Sequence, residues 1–89
     1  MEVGFDPDKN AENIRTRGLS FEAVPLLDWK TAIIKEDLRR DYGERRMQAF
    51  LYGQGKPYVV VYTMRGPVRW IISFRRARLK ERRLYEPKA

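Results

Sequence analysis

Apolar positions change their spacing near residue 28. Before it they are sparse. Val3 to Phe5 fits a short opening strand, and Asp6-Pro7 then reads as a helix start. Asp6 is placed to accept an orphan N–H as N-cap, and Pro7 occupies the first helical position, where its missing donor costs nothing. Ala11 and Ile14 offer a thin apolar stripe, and Gly18 closes the helix in the left-handed conformation. Ser20 caps a second, shorter helix, with Leu19 and Val24 spaced as a hydrophobic staple and Pro25 limiting its length.

From residue 29 the period becomes two. Residues 29–36 alternate loosely, with Trp29, Thr31 and Ile33 opposite Ala32 and Ile34, and Glu36 to Glu44 is a charged loop around Tyr42-Gly43. Residues 45–52 place Met47, Ala49 and Leu51 on one face and Phe50 and Tyr52 on the other. After the turn Gly53-Gln54-Gly55-Lys56-Pro57, the unbroken run Tyr58 to Met64 suits a central strand buried on both sides. Arg65-Gly66-Pro67 turns the chain again. Residues 68–75 put Val68, Trp70, Ile72 and Phe74 on one face and Arg69, Ile71, Ser73 and Arg75 on the other. Arg78 to Glu86 favours helix, and Pro87 marks its end. The pattern predicts an α+β fold in one domain spanning residues 1–89. Two helices pack on one face of about four antiparallel strands, and a short helix closes the chain.

Composition removes several classes of function. There is no cysteine and no histidine, hence no disulfide framework, no thiolate nucleophile and no histidine acid–base pair. No phosphate-binding glycine loop is present, and Gly53-Gln54-Gly55 is turn chemistry. Carboxylates cluster only at Glu36-Asp37 and Asp41-Glu44 in the charged loop, so neither a metal nor a cofactor is expected. No apolar run is long enough to cross a bilayer, and Met1 to Asp6 lacks the pattern of a signal peptide. A cytoplasmic protein without a membrane partner is the simplest reading.

Charge adds direction. Residues 1–64 carry ten basic and ten acidic side chains, whereas residues 65–89 carry nine basic against two acidic. The whole excess of +7 therefore sits in the last quarter of the chain, in Arg65, Arg69, Arg75, Arg76, Arg78, Lys80, Arg82, Arg83 and Lys88. Arginine's planar fork suits bidentate phosphate contacts, and such clustering points to a polyanionic partner. The alternative is a solvated basic face, which requires neither clustering nor a preference for arginine.

Arg65 lies at the tip of the last hairpin, and Arg75 and Arg76 lie where the last strand meets the final helix. Guanidinium groups can stabilise the charge that builds on a phosphate during attack by a ribose 2′-hydroxyl. Regular alternation keeps Arg75 and Arg76 from facing one side, so joint action on one phosphate requires the strand to end or bulge near position 75. Arginine cannot act as a general base. Tyr85 and Glu81 on the last helix are the candidates for proton transfer, with packing of the Tyr85 ring against the sheet as its structural alternative. Arg69, Arg78, Lys80, Arg82 and Arg83 are candidate RNA-binding side chains.

Two blocks of sequence resemble a known family. Phe5-Asp6-Pro7-Asp8-Lys9 with Asn13 and Gly18-Leu19-Ser20-Phe21-Glu22 form the first. Val59-Val60-Val61-Tyr62-Thr63 with Arg65-Gly66, Ile71 to Ala77 and Lys80 to Glu86 form the second. Together they are similar to BrnT-type toxins over nearly the full length. The resemblance implies a compact RelE-like fold and a ribonuclease that arrests translation. It implies a ribbon-helix-helix antitoxin, which neutralises the toxin and binds operator DNA as part of the complex. A homodimer is compatible with it. Carried over by position, Arg75 and Arg76 are the foremost candidates, followed by Arg65. Two positions depart from the family: Arg17 stands where relatives usually have histidine, and Pro25 falls where they tend to continue the second helix. If that histidine assists activity, this chain is slower or inactive.

Two other classes compete with a toxin ribonuclease. One is a non-catalytic nucleic-acid-binding module that stacks bases on Trp70, Phe74 and Tyr85, although the alternation assigns Trp70 and Phe74 to the core. The other is a degenerate toxin retained as an antitoxin partner, whose arginines meet an acidic antitoxin. Cleavage, binding without cleavage, and neither, separate the three.

Overall fold

A five-stranded sheet organises the computed structural model, which describes residues 1–86; Pro87 and Lys88 lie outside the described residues. In chain order the elements are β1 (Glu2–Gly4), α1 (Pro7–Arg17), a 3₁₀ helix (Phe21–Leu26), β2 (Asp28–Glu36), β3 (Met47–Gly53), β4 (Lys56–Arg65), β5 (Val68–Arg76) and α2 (Leu79–Tyr85). Across the sheet the strands run β1-β5-β4-β3-β2. β2 to β5 form an antiparallel meander, and β1 adds to the edge of β5 in parallel. The fold is α+β, with five strands rather than the expected four. The fifth is the opening strand, whose three residues carry no signal of what they pair with.

The local signals act as read. Asp6 accepts a hydrogen bond from Asp8 N at 2.8 Å, Pro7 opens α1, and Gly18 ends it at φ 69°, its N–H donating to Ile14 O at 2.8 Å. Ser20 caps the 3₁₀ helix, which contains Pro25. With no N–H to donate, Pro25 keeps this segment to a tight single element. Its buried Phe21 and Val24 fill the core. Gly53 is needed where this layer meets β3, because a Cβ there would stand 2.5 Å from Leu27 Cδ2.

β4 separates two apolar layers. Phe21, Val24, Ala49, Leu51, Val60, Tyr62, Ile71 and Phe74 form the main core on the first face. Phe50, Val59 and Val61 form a smaller cluster on the second face, covered by Tyr52, Ile72, Ala77 and Tyr85. The expectation of two N-terminal helices packed on one face is corrected: only the 3₁₀ helix packs there, whereas α1 is attached at the β5 edge through Asn13. The 3₁₀ helix covers the first face, and α2 covers the second through the Tyr85 ring, 5.4 Å from that of Phe50.

α1 does something else again. Ala11 and Ile14 are exposed, and its one buried residue is Asn13 at 5%. Asn13 Nδ2 donates to Phe74 O and Leu19 O, both at 2.8 Å, and Asn13 Oδ1 accepts from Phe74 N at 3.4 Å. Those two Phe74 groups point away from β4, along the margin that β1 covers only at Val68–Trp70. The amide of Asn13 thus stands in for a neighbouring strand, satisfying edge groups that burial would otherwise leave unpaired.

β5 carries one irregularity that decides where its side chains go. Val61 pairs with Ser73 and Tyr62 with Ile71, leaving Ile72 as an extra residue. Before this bulge Trp70 faces the second side and Ile71 the first. After it, Phe74 enters the main core and Arg75, opposite Val59, faces the second side. Phe74 does not share a face with Trp70, contrary to simple alternation.

Candidate functional site

The sequence-derived arginines divide between the two faces. Arg65, Thr63 and Val61 lie at alternate positions of β4, so Arg65 shares the second face with Trp70, Ile72, Ser73 and Arg75. Arg76 faces the first side, its guanidinium 5.5 Å from the centre of the Tyr58 ring. The three arginines do not converge on one phosphate. Even the two that share a face are far apart along β5. Arg65 pairs with Val68, seven residues before Arg75, a separation of roughly 20 Å at about 3.3 Å per residue. That is a stretch of several nucleotides, not one anion.

Arg65 stacks over the Trp70 ring at 4.2 Å and lines an open depression of about 430 Å³ with Lys9 and Arg46, beside Asp6 and Glu44. Arg75 lines a second depression of about 600 Å³ with Lys35, Arg39, Arg78 and Lys80, beside Glu36, Asp37 and Glu81. Arg78 and Lys80, expected to bind RNA, are thus at this site. Arg75 is held in place. Its Nη1 and Nη2 each donate to one oxygen of Glu81 at 2.7 Å, and the two side chains are 11% and 20% exposed. Glu81 also accepts from Arg78 N at 2.8 Å at the start of α2, which is one half of a capping box, since the Arg78 guanidinium has no acceptor to complete it.

Position 17 belongs to the same face, which the sequence reading did not foresee. Arg17 Nη1 donates to Ser73 Oγ at 3.0 Å and to Asn13 Oδ1 at 3.2 Å. Ser73 lies opposite Val61 and two residues before Arg75, so Arg17 reaches round the β5 edge to the second face. The signal was present in the spacing. Lys9, Asn13 and Arg17 recur every four residues and share one side of α1.

Arg69 and Tyr85 are packed against aromatic rings. Arg69 lies on the first face, 4.2 Å over Trp29 and 5.2 Å from Tyr62. Its Nη1 is buried without a hydrogen-bond partner among the described residues, so the guanidinium is largely committed to cation–π contact there. Tyr85 packs its ring against the Phe50 cluster with Lys35 Nζ 5.4 Å above it. That is the structural alternative stated for it. Arg82 pairs with Glu86 at 2.8 Å along α2, and Arg83 is exposed.

The β2–β3 loop is built around a buried acid. Asp37, 5% exposed, accepts from Arg39 Nε and Nη2, both at 2.8 Å, and from Tyr42 Oη at 3.0 Å. Its N–H closes the loop on Arg46 O at 2.8 Å. These bonds, above all the one from Arg39, hold its carboxyl far below the usual carboxylate range. Glu81 is held down to about 2, chiefly by the hydrogen bonds from Arg75. Both groups titrate lower in the folded than in the unfolded chain. The stability they contribute is complete above the unfolded carboxylate range and is lost as pH falls through the folded one. Denaturant midpoints are therefore expected to hold down to about pH 5 and to fall steadily toward pH 2. Asp37→Asn, measured in parallel, should flatten part of that slope. Among the described residues no three acidic side chains stand together as a metal-binding group, and no helix is long and apolar enough to cross a membrane.

One side of the sheet thus carries Lys9, Arg46 and Arg65 around a half-buried Trp70, with Arg17 and Arg75 farther along β5. This arrangement suits an extended polyanion with bases to stack. No curated protein matches the chain. The family described as "Ribonuclease toxin, BrnT, of type II toxin-antitoxin system" matches residues 5–81, a span that includes α1, every loop and β5 with its bulge. The chain belongs to the BrnT family of ribonuclease toxins from type II toxin–antitoxin systems, and with that family come an RNA substrate and a protein antitoxin.

Proposed function

We propose that this toxin cleaves single-stranded RNA laid across the second face of the sheet, with the scissile phosphate between Arg75 and Arg17. The observation that carries the reading is the bulge at Ile72, which turns Arg75 to the side on which Arg17 reaches Ser73. Arg65, Trp70, Arg46 and Lys9 then bind nucleotides on one flank, and Lys35, Arg78 and Lys80 bind phosphates on the other.

In this reading the 2′-hydroxyl of the substrate loses its proton and attacks the adjacent phosphorus, and the 5′-oxygen of the next nucleotide leaves. The products are a 2′,3′-cyclic phosphate and a 5′-hydroxyl. Fixed guanidinium charges stabilise the extra negative charge on the phosphate oxygens in the transition state, each contributing on the order of 10²-fold in rate. Neither Tyr85, which packs against Phe50, nor Glu81, whose carboxyl is held down to about 2, is a good base at neutral pH. Proton transfer is then left to water, and catalysis is chiefly electrostatic.

The site needs no metal in this account. RNA cleavage arrests translation, a ribbon-helix-helix antitoxin neutralises the toxin, and the complex binds operator DNA. The two-layer sheet and helix arrangement suits a RelE-like toxin acting as one domain in the cytoplasm. Cleavage of a single-stranded RNA by the purified protein is expected to persist in EDTA, to leave 2′,3′-cyclic phosphate ends, and to stop when the nucleotide 5′ of the cut is 2′-deoxy. Cleavage of the 2′-deoxy substrate, or loss of activity in EDTA that added metal restores, contradicts the mechanism. Binding without cleavage selects the non-catalytic module instead.

A further inference from the structure

We propose that Glu81 is a positioning residue for Arg75, holding one edge of its guanidinium so that the other edge meets the RNA phosphate. The inference rests on the reading of Arg75 as a phosphate contact and adds the residue that makes this contact directional.

A guanidinium presents two bidentate edges, one formed by Nη1 and Nη2 and one by Nε and an Nη. Glu81 occupies the first, with both oxygens at 2.7 Å. The second edge has no hydrogen-bond partner among the described residues, apart from what Nη2 gives to Glu81. The side chain is not sealed in the interior: it is 11% exposed and lines the open depression with Lys35, Arg78 and Lys80. Arg75 therefore has a fork in use and a fork to spare.

Glu81 is itself fixed. Its carboxylate accepts from Arg78 N at 2.8 Å at the start of α2, and α2 is pinned to the second face by Tyr85. A long side chain at the end of a strand is thus tied to a helix at a set distance and angle. Fixing a charged group before substrate arrives removes a reorganisation cost from the reaction step. A carboxylate that merely blocked the arginine would have the opposite effect, because its removal would free the cation for RNA. The unused edge favours positioning over blocking.

Steady-state cleavage of a fluorescent single-stranded RNA by the full chain tests this in a double-mutant cycle. Glu81→Gln keeps the size of the side chain but replaces one accepting oxygen with a donor. Its kcat is expected to fall roughly 10- to 100-fold, with KM changed less than about threefold. In an Arg75→Ala background the same substitution is expected to change kcat no further, since Glu81 acts through Arg75. A purely structural role would slow both backgrounds alike. Arg75→Lys, which retains the ion pair but has no second edge, is expected to be as slow as Arg75→Ala; parent-like activity in it overturns the proposal without depending on any change at Glu81. Glu81→Gln as fast as the parent, or faster, overturns the proposal while leaving Arg75 in place. Parent-like activity in Arg75→Ala overturns the reading of Arg75 itself.

A second measurement needs no turnover. Titration with a 2′-O-methyl oligonucleotide is expected to shift the Arg75 Nε–H resonance in the parent and not in Glu81→Gln. An equal shift in both proteins refutes positioning. No shift in the parent refutes the phosphate contact.

Discussion

Replacing Arg75 with alanine is expected to slow RNA cleavage by about 10²–10³-fold, while replacing Arg76 with alanine changes it less than about threefold. The two residues are chain neighbours of the same type, yet they face opposite sides of β5. Arg75 stands beside Lys35, Arg78 and Lys80 in a depression on the second face. Arg76 lies over Tyr58 on the first. Loss of Arg75 also strips Glu81 of its main partner, and that half-buried carboxylate then keeps only the Arg78 N–H. The expected cost is about 1–3 kcal/mol, a fraction of the roughly 5–10 kcal/mol that holds a domain of this size. The variant should therefore remain folded at 25 °C, and circular dichroism with a denaturant titration separates the two effects. A parallel loss in both variants would show that position along the strand, not face, decides function.

The largest effect on stability is expected at Asn13. Its side chain is the one polar group that α1 buries, and it holds α1, Leu19 and β5 together through three hydrogen bonds to backbone. Asn13→Ala leaves the N–H and C=O of Phe74 without partners at a covered edge. Each such group costs about 1–3 kcal/mol when water cannot replace the lost partner, so a total of about 2–4 kcal/mol is expected. Asn13→Asp should be worse. It keeps the acceptor but sets a carboxylate against the carbonyls of Leu19 and Phe74, to which the amide had donated. Urea denaturation at pH 7 checks both, and an Asp variant as stable as the parent would contradict the account of this contact. Cleavage should fall as well, because Arg17 donates to Asn13 Oδ1.

Much of this arrangement was legible in the chain, and the exceptions have physical causes. Asp6, Pro7, Gly18 and Ser20 announced their caps because cap chemistry is local. Residues 45–52 and 58–64 alternated or ran apolar as a half-buried and a central strand should, and they lie where expected. The bulge at Ile72 was not legible. Ile71 and Ile72 are both apolar, so either fits either face, and nothing in the pattern marks one of them as extra. A missed bulge inverts the face of everything after it: it turns Arg75 to the side of Arg65, while regular alternation to the end of β5 leaves Arg76 on the other side and the length of the strand keeps Arg65 and Arg75 apart. α1 was misread for a related reason. Ala11 and Ile14 form the only apolar stripe on α1, whereas the helix is attached by an amide that completes a strand edge. Arg17 stands out in the sequence only as a departure from the family, and the contact to Ser73 is what places it on the face of Arg75. Charge clustering indicated a polyanionic partner correctly in kind. It could not separate Arg69, half-buried and stacked on Trp29, from the arginines that stay open to a ligand.

The central claim is that RNA occupies the face turned toward α2 and not the face covered by the 3₁₀ helix. The chain's two tryptophans report on those faces separately: Trp70 beneath Arg65 on one, and Trp29 on the other with its Nε1 donating to Val24 O at 2.9 Å. Titration of the parent protein with a single-stranded 2′-O-methyl RNA, followed by the two indole N–H resonances, tests the claim directly. A progressive shift of Trp70 with Trp29 unmoved is the predicted result, and a shift of Trp29 with Trp70 unmoved would contradict it.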